Sequence, residues 1–340
     1  PGNAHVVPAL MRRFSEARAA GAQEVIVWGT GTPRREFLHV DDLADALVFL
    51  MRHYSDSAPI NVGCGSDLSI AELAELIVER CVDLPGKVFF ANSGAEANDG
   101  LIKLARRFGL DYWQVAATAT DANRYALRWA RAITRRPKIL VFDGCYHGTV
   151  DETLVRLREG KTVHRAGLVG QAQDLTAHSR VVEFNDLEAV AAALAHGDVA
   201  AILTEPVMTN SCMVLPQPGF LEGLRAVADA HGALLIIDET HTQSTGRGGY
   251  TGQNGLAPDI FVIGKCVAGG MPTALWGMTN TVAKRFQTYD AARPSGHSGM
   301  GTTLAGNPMQ FACLEATLSK VATPEAFTHM GAGAARLAKG

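Results

Sequence analysis

Gly232-Ala-Leu-Leu-Ile-Ile-Asp-Glu-Thr-His-Thr242 and, after a gap, Asp259-Ile-Phe-Val-Ile-Gly-Lys-Cys-Val-Ala-Gly-Gly-Met-Pro272 decide the fold of this chain. Leu234–Ile237 and Ile260–Ile263 are short, wholly apolar and rich in β-branched residues. Runs of that kind fit strands buried on both faces of a sheet covered by helices. Each run is followed closely by a charge, Asp238 after the first and Lys265 after the second. Ligands of open α/β sheets bind beyond the carboxyl ends of the strands, so these two residues are expected to face one pocket.

Lysine at such a site is the residue type that forms a Schiff base, and a buried carboxylate holds a heterocycle protonated. That chemistry points to pyridoxal 5′-phosphate (PLP). A surface lysine beside an unrelated loop aspartate is the alternative these two residues leave open.

Upstream of this stretch, strands and helices alternate. Ile139–Phe142 reads as a strand ending in Asp143-Gly-Cys-Tyr-His-Gly148, and Val199–Leu203 as one ending in Thr204-Glu-Pro206. Leu187–His196 and the amphipathic Phe220–His231 read as helices, and 149–185, polar and poorly patterned, as a surface crossing. Downstream, Leu275–Met278 is expected to be a strand, Met309–Lys320 a helix, and another helix begins near Pro324. The alternation implies an α/β sandwich with a mainly parallel sheet.

Two segments share one design of strand, small-residue turn and helix. They align as SGAEANDGLIKLAR (93–106) and TATDANRYALRWAR (118–131). Exposed N–H groups at a helix start form an anion seat. Asn123 is one helix, a short turn and one strand from Tyr146, a compact βαβ step, whereas Asn98 leaves an extra unit in between. The backbone N–H groups of Ala119 and Thr120 are therefore assigned as the working phosphate seat, with Gly94 and Ala95 as the spare.

Nearer the start, apolar positions between Val6 and Phe14 have roughly helical spacing, and Glu24–Trp28 reads as a strand. Gly29-Thr-Gly-Thr-Pro-Arg34 opens like a dinucleotide fingerprint. Arg34 replaces the third glycine, and the strand-like Glu36–Val40 follows where a helix start is needed, so it is rejected as a cofactor loop. A helix from Asp41 to His53, a strand at Ile60–Val62 and a Ser69-x-x-Glu72 capping box complete this part.

With 47% apolar and 19% charged residues the chain is globular, and a net charge of −3 without a basic run argues against nucleic acid as the main partner. The six cysteines have no metal-ligand spacing and read as reduced thiols of a cytoplasmic protein. No apolar run approaches the roughly 18 residues a membrane helix needs, and no secretory signal is expected. The chain opens at Pro1 without an initiator methionine, as a fragment would.

From about residue 85 onward the sequence resembles the class III PLP-dependent aminotransferases of fold type I, most closely the group around glutamate-1-semialdehyde aminomutase. The motifs carrying it are TDAN, Tyr146-His-Gly148, Thr204-Glu-Pro206, IIDET, IGK with its glycine-rich tail and GTTLAGNP, in family order. The resemblance implies a large domain with a mainly parallel sheet sandwiched by helices, working as a homodimer on a small-molecule amino donor and acceptor. It implies that Lys265 carries PLP as a Schiff base and then moves the proton, and that Asp238 pairs with the ring nitrogen. Tyr146 would stack on one ring face and Thr240 on the other, with Thr303 reaching the phosphate from the partner subunit. Glu205 would order the Asp238 side of the ring, or cap its own turn. His147 is expected as a hydrogen-bonding neighbour and not a base, and His241 and His297 as ordinary polar residues.

Residues 1–80 resemble the C-terminal part of GDP-L-fucose synthase, an extended short-chain reductase/epimerase. The carrying runs are Asn3–Arg13, Val27–Asp42 (VWGTGTPRREFLHVDD) and Ile60-Asn-Val-Gly63. By that resemblance Arg13, Trp28 and Arg35 would contact a sugar nucleotide, but the family's nucleotide loop and catalytic Ser/Tyr/Lys set are missing. The expected organisation is a truncated reductase-like segment (1–83), a PLP-binding large domain (84–320) and the start of a truncated small domain (321–340). Two rival readings stand beside the aminotransferase: a nucleotide-sugar-binding module, and an inactive chimera that at most binds PLP.

Overall fold

The computed structural model describes residues 10, 14, 34–38, 40–56, 58–69, 104, 107–110, 112–294, 298–302 and 304–339. The chain divides into two compact units, Pro1–Gly94 and Ala95–Gly340. No described helix is long and apolar enough to cross a membrane.

In the first unit, strand β1 (Arg34–Glu36) pairs antiparallel with β2 (Asp67–Ser69), and helix α1 (Val40–His53) follows β1. Asp41 and Asp42 lie in the first turn of α1 and Arg52 and His53 in the last, complementing the helix dipole. Arg34 clamps the pair, donating from Nε to Asp67 Oδ1 and from Nη2 to the Asp67 carbonyl, both at 2.7 Å. The expected strand at Ile60–Val62 is not formed. That segment is a loop with Ile60 half exposed, and it turns so that Gly65 N–H donates to Glu36 Oε1 at 2.8 Å; among the described residues no strand pairs with Ile60–Val62. The strand-like run after Glu36 also ends there, with Phe37 and Leu38 already outside the ladder. Strand 24–28, the helix expected after the Ser69 capping box and the first motif copy at 87–98 fall outside the described residues; Ser69 itself closes β2.

The second unit is built on a seven-stranded sheet in the order β3-β11-β10-β9-β8-β4-β7. These are β3 (Tyr112–Ala116), β4 (Lys138–Phe142), β7 (Ser179–Val182), β8 (Val199–Thr204), β9 (Leu234–Asp238), β10 (Ile260–Ile263) and β11 (Ala274–Met278). The run from β7 to β10 is parallel, and β11 lies antiparallel to both β10 and β3. Strands β8, β9, β10 and β11 are buried at every position, which explains their continuous apolar sequences. The mainly parallel α/β sheet therefore stands as expected.

Helix α2 (Ala119–Thr134) positions the site. It buries Ala122, Tyr125, Ala126, Trp129 and Ala130, a stripe at helical spacing, and the alanines let it lie close to the sheet. Trp129 meets Trp276 of β11 edge-on at 4.8 Å. Further helices of this unit are α3 (Leu187–Leu194), α4 (Phe220–His231), α5 (Gly249–Gln253), α6 (Asn280–Ala292), α7 (Pro308–Ala316) and α8 (Pro324–Leu337). Phe286 of α6 stacks on Trp129 at 3.5 Å, and Phe220 of α4 packs on Phe184 at 4.7 Å.

The surface crossing expected at 149–185 needs correction. It holds a hairpin, β5 (Val155–Arg158) with β6 (Lys161–His164), and then the edge strand β7. Glu159 and Gly160 between the hairpin strands both have positive φ, 51° and 73°, the requirement of a two-residue primed turn. Glu-Gly is not among the dipeptides that announce such a turn, and four-residue strands leave little periodicity to detect.

Candidate active site

The carboxyl ends of β3, β4, β8, β9 and β10 surround a cavity of ≈ 300 Å³. Ala119, Thr120, Tyr146, His147, Glu205, Asp238, Thr240 and Lys265 all line it. Arg35 lies exposed on β1 in the other unit, its Nη1 donating to the Arg34 carbonyl at 2.8 Å. Arg13, Trp28, Thr303, His297, Gly94 and Ala95 fall outside the described residues.

Asp238 is the last residue of β9 and is 4% exposed. Its Oδ1 accepts from Thr240 N at 3.0 Å and Thr240 Oγ1 at 2.6 Å, and its Oδ2 accepts from Asn123 Nδ2 at 2.7 Å. His147 Nδ1 lies 2.9 Å from the same Oδ2. Burial pushes the carboxyl upward, but the His147 hydrogen bond and charge, with Thr240 and Asn123, outweigh it and hold Asp238 below the ordinary aspartate range. Burial likewise works against a charged His147, yet the bonds and charges of Asp238 and Cys145 raise it well above the usual histidine value. Both directions describe one object, a buried imidazolium–carboxylate pair at the cavity floor.

Lys265 leaves β10 through Gly264 with φ 51°, a left-handed conformation uncommon outside glycine, and starts a single 3₁₀ turn. Its amine makes no hydrogen bond or ion pair among the described residues. Close packing dictates the glycine before it: a Cβ on Gly264 would lie 2.9 Å from Ala119 Cβ. The lysine and the start of α2 are thereby held against each other.

Thr118 caps α2, its Oγ1 accepting from Asp121 N at 3.2 Å. Ala122 N–H bonds the Thr118 carbonyl, which leaves the N–H groups of Ala119 and Thr120 without a partner among the described residues, at the positive end of a 16-residue helix. Gly148 folds over this seat at φ 80°, and a Cβ there would lie 2.0 Å from Thr120 Oγ1.

Glu205, 5% exposed, accepts from Tyr146 N at 3.2 Å through Oε1, and from Thr209 N at 3.3 Å and Thr209 Oγ1 at 3.0 Å through Oε2. Tyr146 is pinned by its backbone while its side chain stays 41% exposed. Thr209 Oγ1 is also hydrogen-bonded to Nδ1 of His241, another residue of the cavity wall.

Two contributors were not assigned a role from sequence. Asn123 was visible only as the last letter of TDAN; its spacing, one helical turn past the anion seat, was the available signal. Thr209 had none, because it reaches the site by a turn after β8. The neighbouring Glu239 is not a cavity residue: burial raises its pKa, and it accepts from Thr242 Oγ1, Tyr250 N and Thr251 N at 2.6, 3.0 and 2.5 Å. It staples the segment after β9.

Comparison with known proteins identifies the family. The class-III aminotransferase family matches residues 46–339, and the NAD-dependent epimerase/dehydratase family matches residues 1–63. A glutamate-1-semialdehyde 2,1-aminomutase of Roseiflexus castenholzii is 42% identical over 228 residues, 66% of this chain and 51% of the relative. A second from Brevibacillus brevis is 39% identical, covering 66% and 52%. The chain thus spans about half the length of the curated relatives it matches. Among solved structures, a lysine-to-alanine variant of a Pseudomonas aeruginosa glutamate-1-semialdehyde aminomutase in complex with PMP superposes with TM-score 0.70 at 37% identity, over 98% of this chain and 77% of that one. Matched over 46–339 and folded around a strand-end cavity that joins a lysine, a sealed aspartate and an open helix start, the chain belongs to the class-III aminotransferase family.

Proposed function

We propose that residues 95–340 bind PLP and carry out amino-group transfer, or its 1,2-migration, between small molecules. The observation that carries this reading is the meeting of Lys265, Asp238 and the free N–H pair of α2 in one cavity. The donor set fits the cofactor: two N–H groups and a helix dipole for a phosphate, a buried carboxylate for a ring nitrogen, and an unpaired amine for an aldehyde. Bound PLP supplies that aldehyde, together with a protonated ring that withdraws electrons from the reacting carbon.

Each residue then has a task. Ala119 and Thr120 hold the phosphate. Asp238 keeps the ring nitrogen protonated, and His147 keeps Asp238 charged. Because Asp238 already receives four donors, the Thr240 hydroxyl, the donor free to rotate, yields its place. Tyr146 covers one ring face and Thr240 the other. Lys265 offers its amine and, once freed, takes up and returns a proton at Nζ. Glu205 fixes the backbone of Tyr146. The family resemblance supports a homodimer with shared sites in which Thr303 reaches the partner's phosphate, and the scattered cysteines, all free among the described residues, support a cytoplasmic protein.

The epimerase/dehydratase match over 1–63 favours a separate reading of the first unit as a C-terminal piece of a GDP-L-fucose synthase-like reductase, with Arg13, Trp28 and Arg35 toward a sugar nucleotide. The boundaries proposed are 1–83, 84–320 and 321–340.

The test is optical. Purified protein given PLP should turn yellow, the colour should be fixed by borohydride, and Lys265→Ala should abolish it. A wild-type protein that never develops this chromophore would refute the reading. A chromophore that no amino donor discharges would mean binding without turnover.

A further inference from the structure

We propose that His241 is a second proton-carrying residue of the cavity, whose Nε2 accepts the proton that an incoming ammonium must shed before its nitrogen can act as a nucleophile. The proposal rests on the amino-transfer reading above and adds a residue that reading does not use.

The geometry sets the tautomer. Thr209 has one hydroxyl hydrogen and two neighbours, Glu205 Oε2 at 3.0 Å and His241 Nδ1. Glu205 is met on both oxygens by N–H donors, Tyr146 N and Thr209 N, so it serves as an acceptor. The hydroxyl hydrogen therefore goes to Glu205, and the Thr209 oxygen is left to accept from His241. Nδ1 then bears the ring hydrogen of neutral His241, and Nε2 bears the lone pair. No described residue bonds Nε2, and the half-buried ring forms part of the cavity wall. A carboxylate–hydroxyl–imidazole chain thus presents a proton acceptor to the cavity. When Nε2 gains a proton, the new charge is supported by Glu205 across the Thr209 hydroxyl, the role an orienting carboxylate has in hydrolytic triads.

The step balances. The substrate R–NH₃⁺ gives its proton to Nε2, yielding R–NH₂ with a free electron pair and an imidazolium, and the proton leaves later to solvent or product. The other ionisable groups lining the cavity are Lys265, Asp238, His147, Glu205 and Tyr146. Asp238 and His147 are tied to one another, Glu205 is saturated by donors, and Lys265 is reserved as the amine of the reaction. His241 is left as the base facing an arriving amine. In this scheme His241 is catalytic, and Thr209 and Glu205 are positioning residues.

Two measurements test this. The first needs no cofactor: ¹⁵N NMR of the imidazole in the cofactor-free protein reads the tautomer. Wild type should show Nδ1–H with a bare Nε2, Thr209→Val should revert toward Nε2–H, the form free side chains favour, and Thr209→Ser should restore the wild-type signature. An Nε2–H tautomer in wild type overturns the proposal. The second is the pH dependence of the single-turnover reaction of the PLP-loaded protein with an amino donor. His241→Gln should slow it by about 10²-fold near neutral pH, the low end for general-base catalysis. The gap should close as pH approaches the donor's own ammonium pKa, where free amine no longer has to be made. A gap that is absent, or constant across pH, overturns the role of His241 while leaving PLP binding intact. A wild-type protein without a chromophore overturns the amino-transfer reading instead.

Discussion

Asp238→Asn tests the floor of the site. The carboxylate is buried and takes four donors, and the amide that replaces it retains one oxygen. That oxygen can still serve Thr240, so the new NH₂ faces the donors of Asn123 and His147, and at least one buried donor loses its acceptor. An unsatisfied buried donor costs about 1–3 kcal/mol, and breaking a buried ion pair costs about 3–5 kcal/mol when the orphaned charge stays. His147 can shed its proton, so the lower end applies, and a loss of about 3 kcal/mol is expected at mildly acid pH. The pH course carries more information than the size. His147 is raised from its ordinary 6.5, so the stability it contributes is fully present below that value and fades as pH climbs toward its folded pKa. Asp238 is lowered from 3.8, so its contribution is present above that value and fades as pH falls through its folded pKa. The difference between wild type and variant should therefore be widest between about pH 4 and 6.5 and shrink as pH rises from there toward about 10. Urea unfolding of the cofactor-free protein, followed by near-ultraviolet circular dichroism of its tryptophans, measures it. A difference that is flat across this range, or wider at alkaline pH, would show that no such pair exists.

Other perturbations follow from the anion seat. Thr118→Ala removes the cap of α2 and should cost about 1 kcal/mol by thermal or denaturant unfolding. It should weaken PLP more than pyridoxal, since the phosphate alone meets the helix start; equal weakening of both ligands would be evidence against the seat. Gly148→Ala combines a left-handed φ of 80° with a Cβ 2.0 Å from Thr120 Oγ1 and 3.1 Å from its Cα. Backbone has to move there, so a loss of about 1–3 kcal/mol with reduced PLP affinity is expected, read by melting and by absorbance titration. A variant that melts and binds like wild type would show the cradle to be slack.

Much of this was legible in the chain because it rests on local rules. The buried strands read as apolar runs, and α2 was marked by the small-residue turn that leads into it. Asp238 and Lys265 were legible because a charge closely following a buried strand has few structural reasons to be there. What escaped depends on contacts made elsewhere. Ile60–Val62 has strand composition but no strand beside it among the described residues, so composition misled. The 155–164 hairpin turns through Glu159 and Gly160, with Glu159 in a conformation that glutamate rarely adopts. The Glu205–Thr209–His241 chain was invisible because a turn after β8 folds Thr209 onto a residue beyond the next strand. His241 read as ordinary because a histidine's role is set by what its other nitrogen touches.

The register of the central strands explains how one cavity separates two electrostatic duties. Asp238 pairs with Val262 across β9 and β10, whereas Lys265 lies past the end of β10, in the turn that follows Gly264. The floor pair, Asp238 with His147, is sealed from water, and its charges are fixed by each other instead of by solvent. Sealed charges reorganise little, which suits a group whose task is to hold one protonation state throughout a reaction. Lys265 and His241 sit where the wall opens, among the described residues one without a partner and one with a bare Nε2, and a proton can reach or leave either. If the four were interchanged, a titrating group at the floor would pay desolvation at every cycle and a fixed charge at the rim would be screened by water. The strand register therefore does more than gather the residues: it assigns static charge to the interior and proton traffic to the mouth.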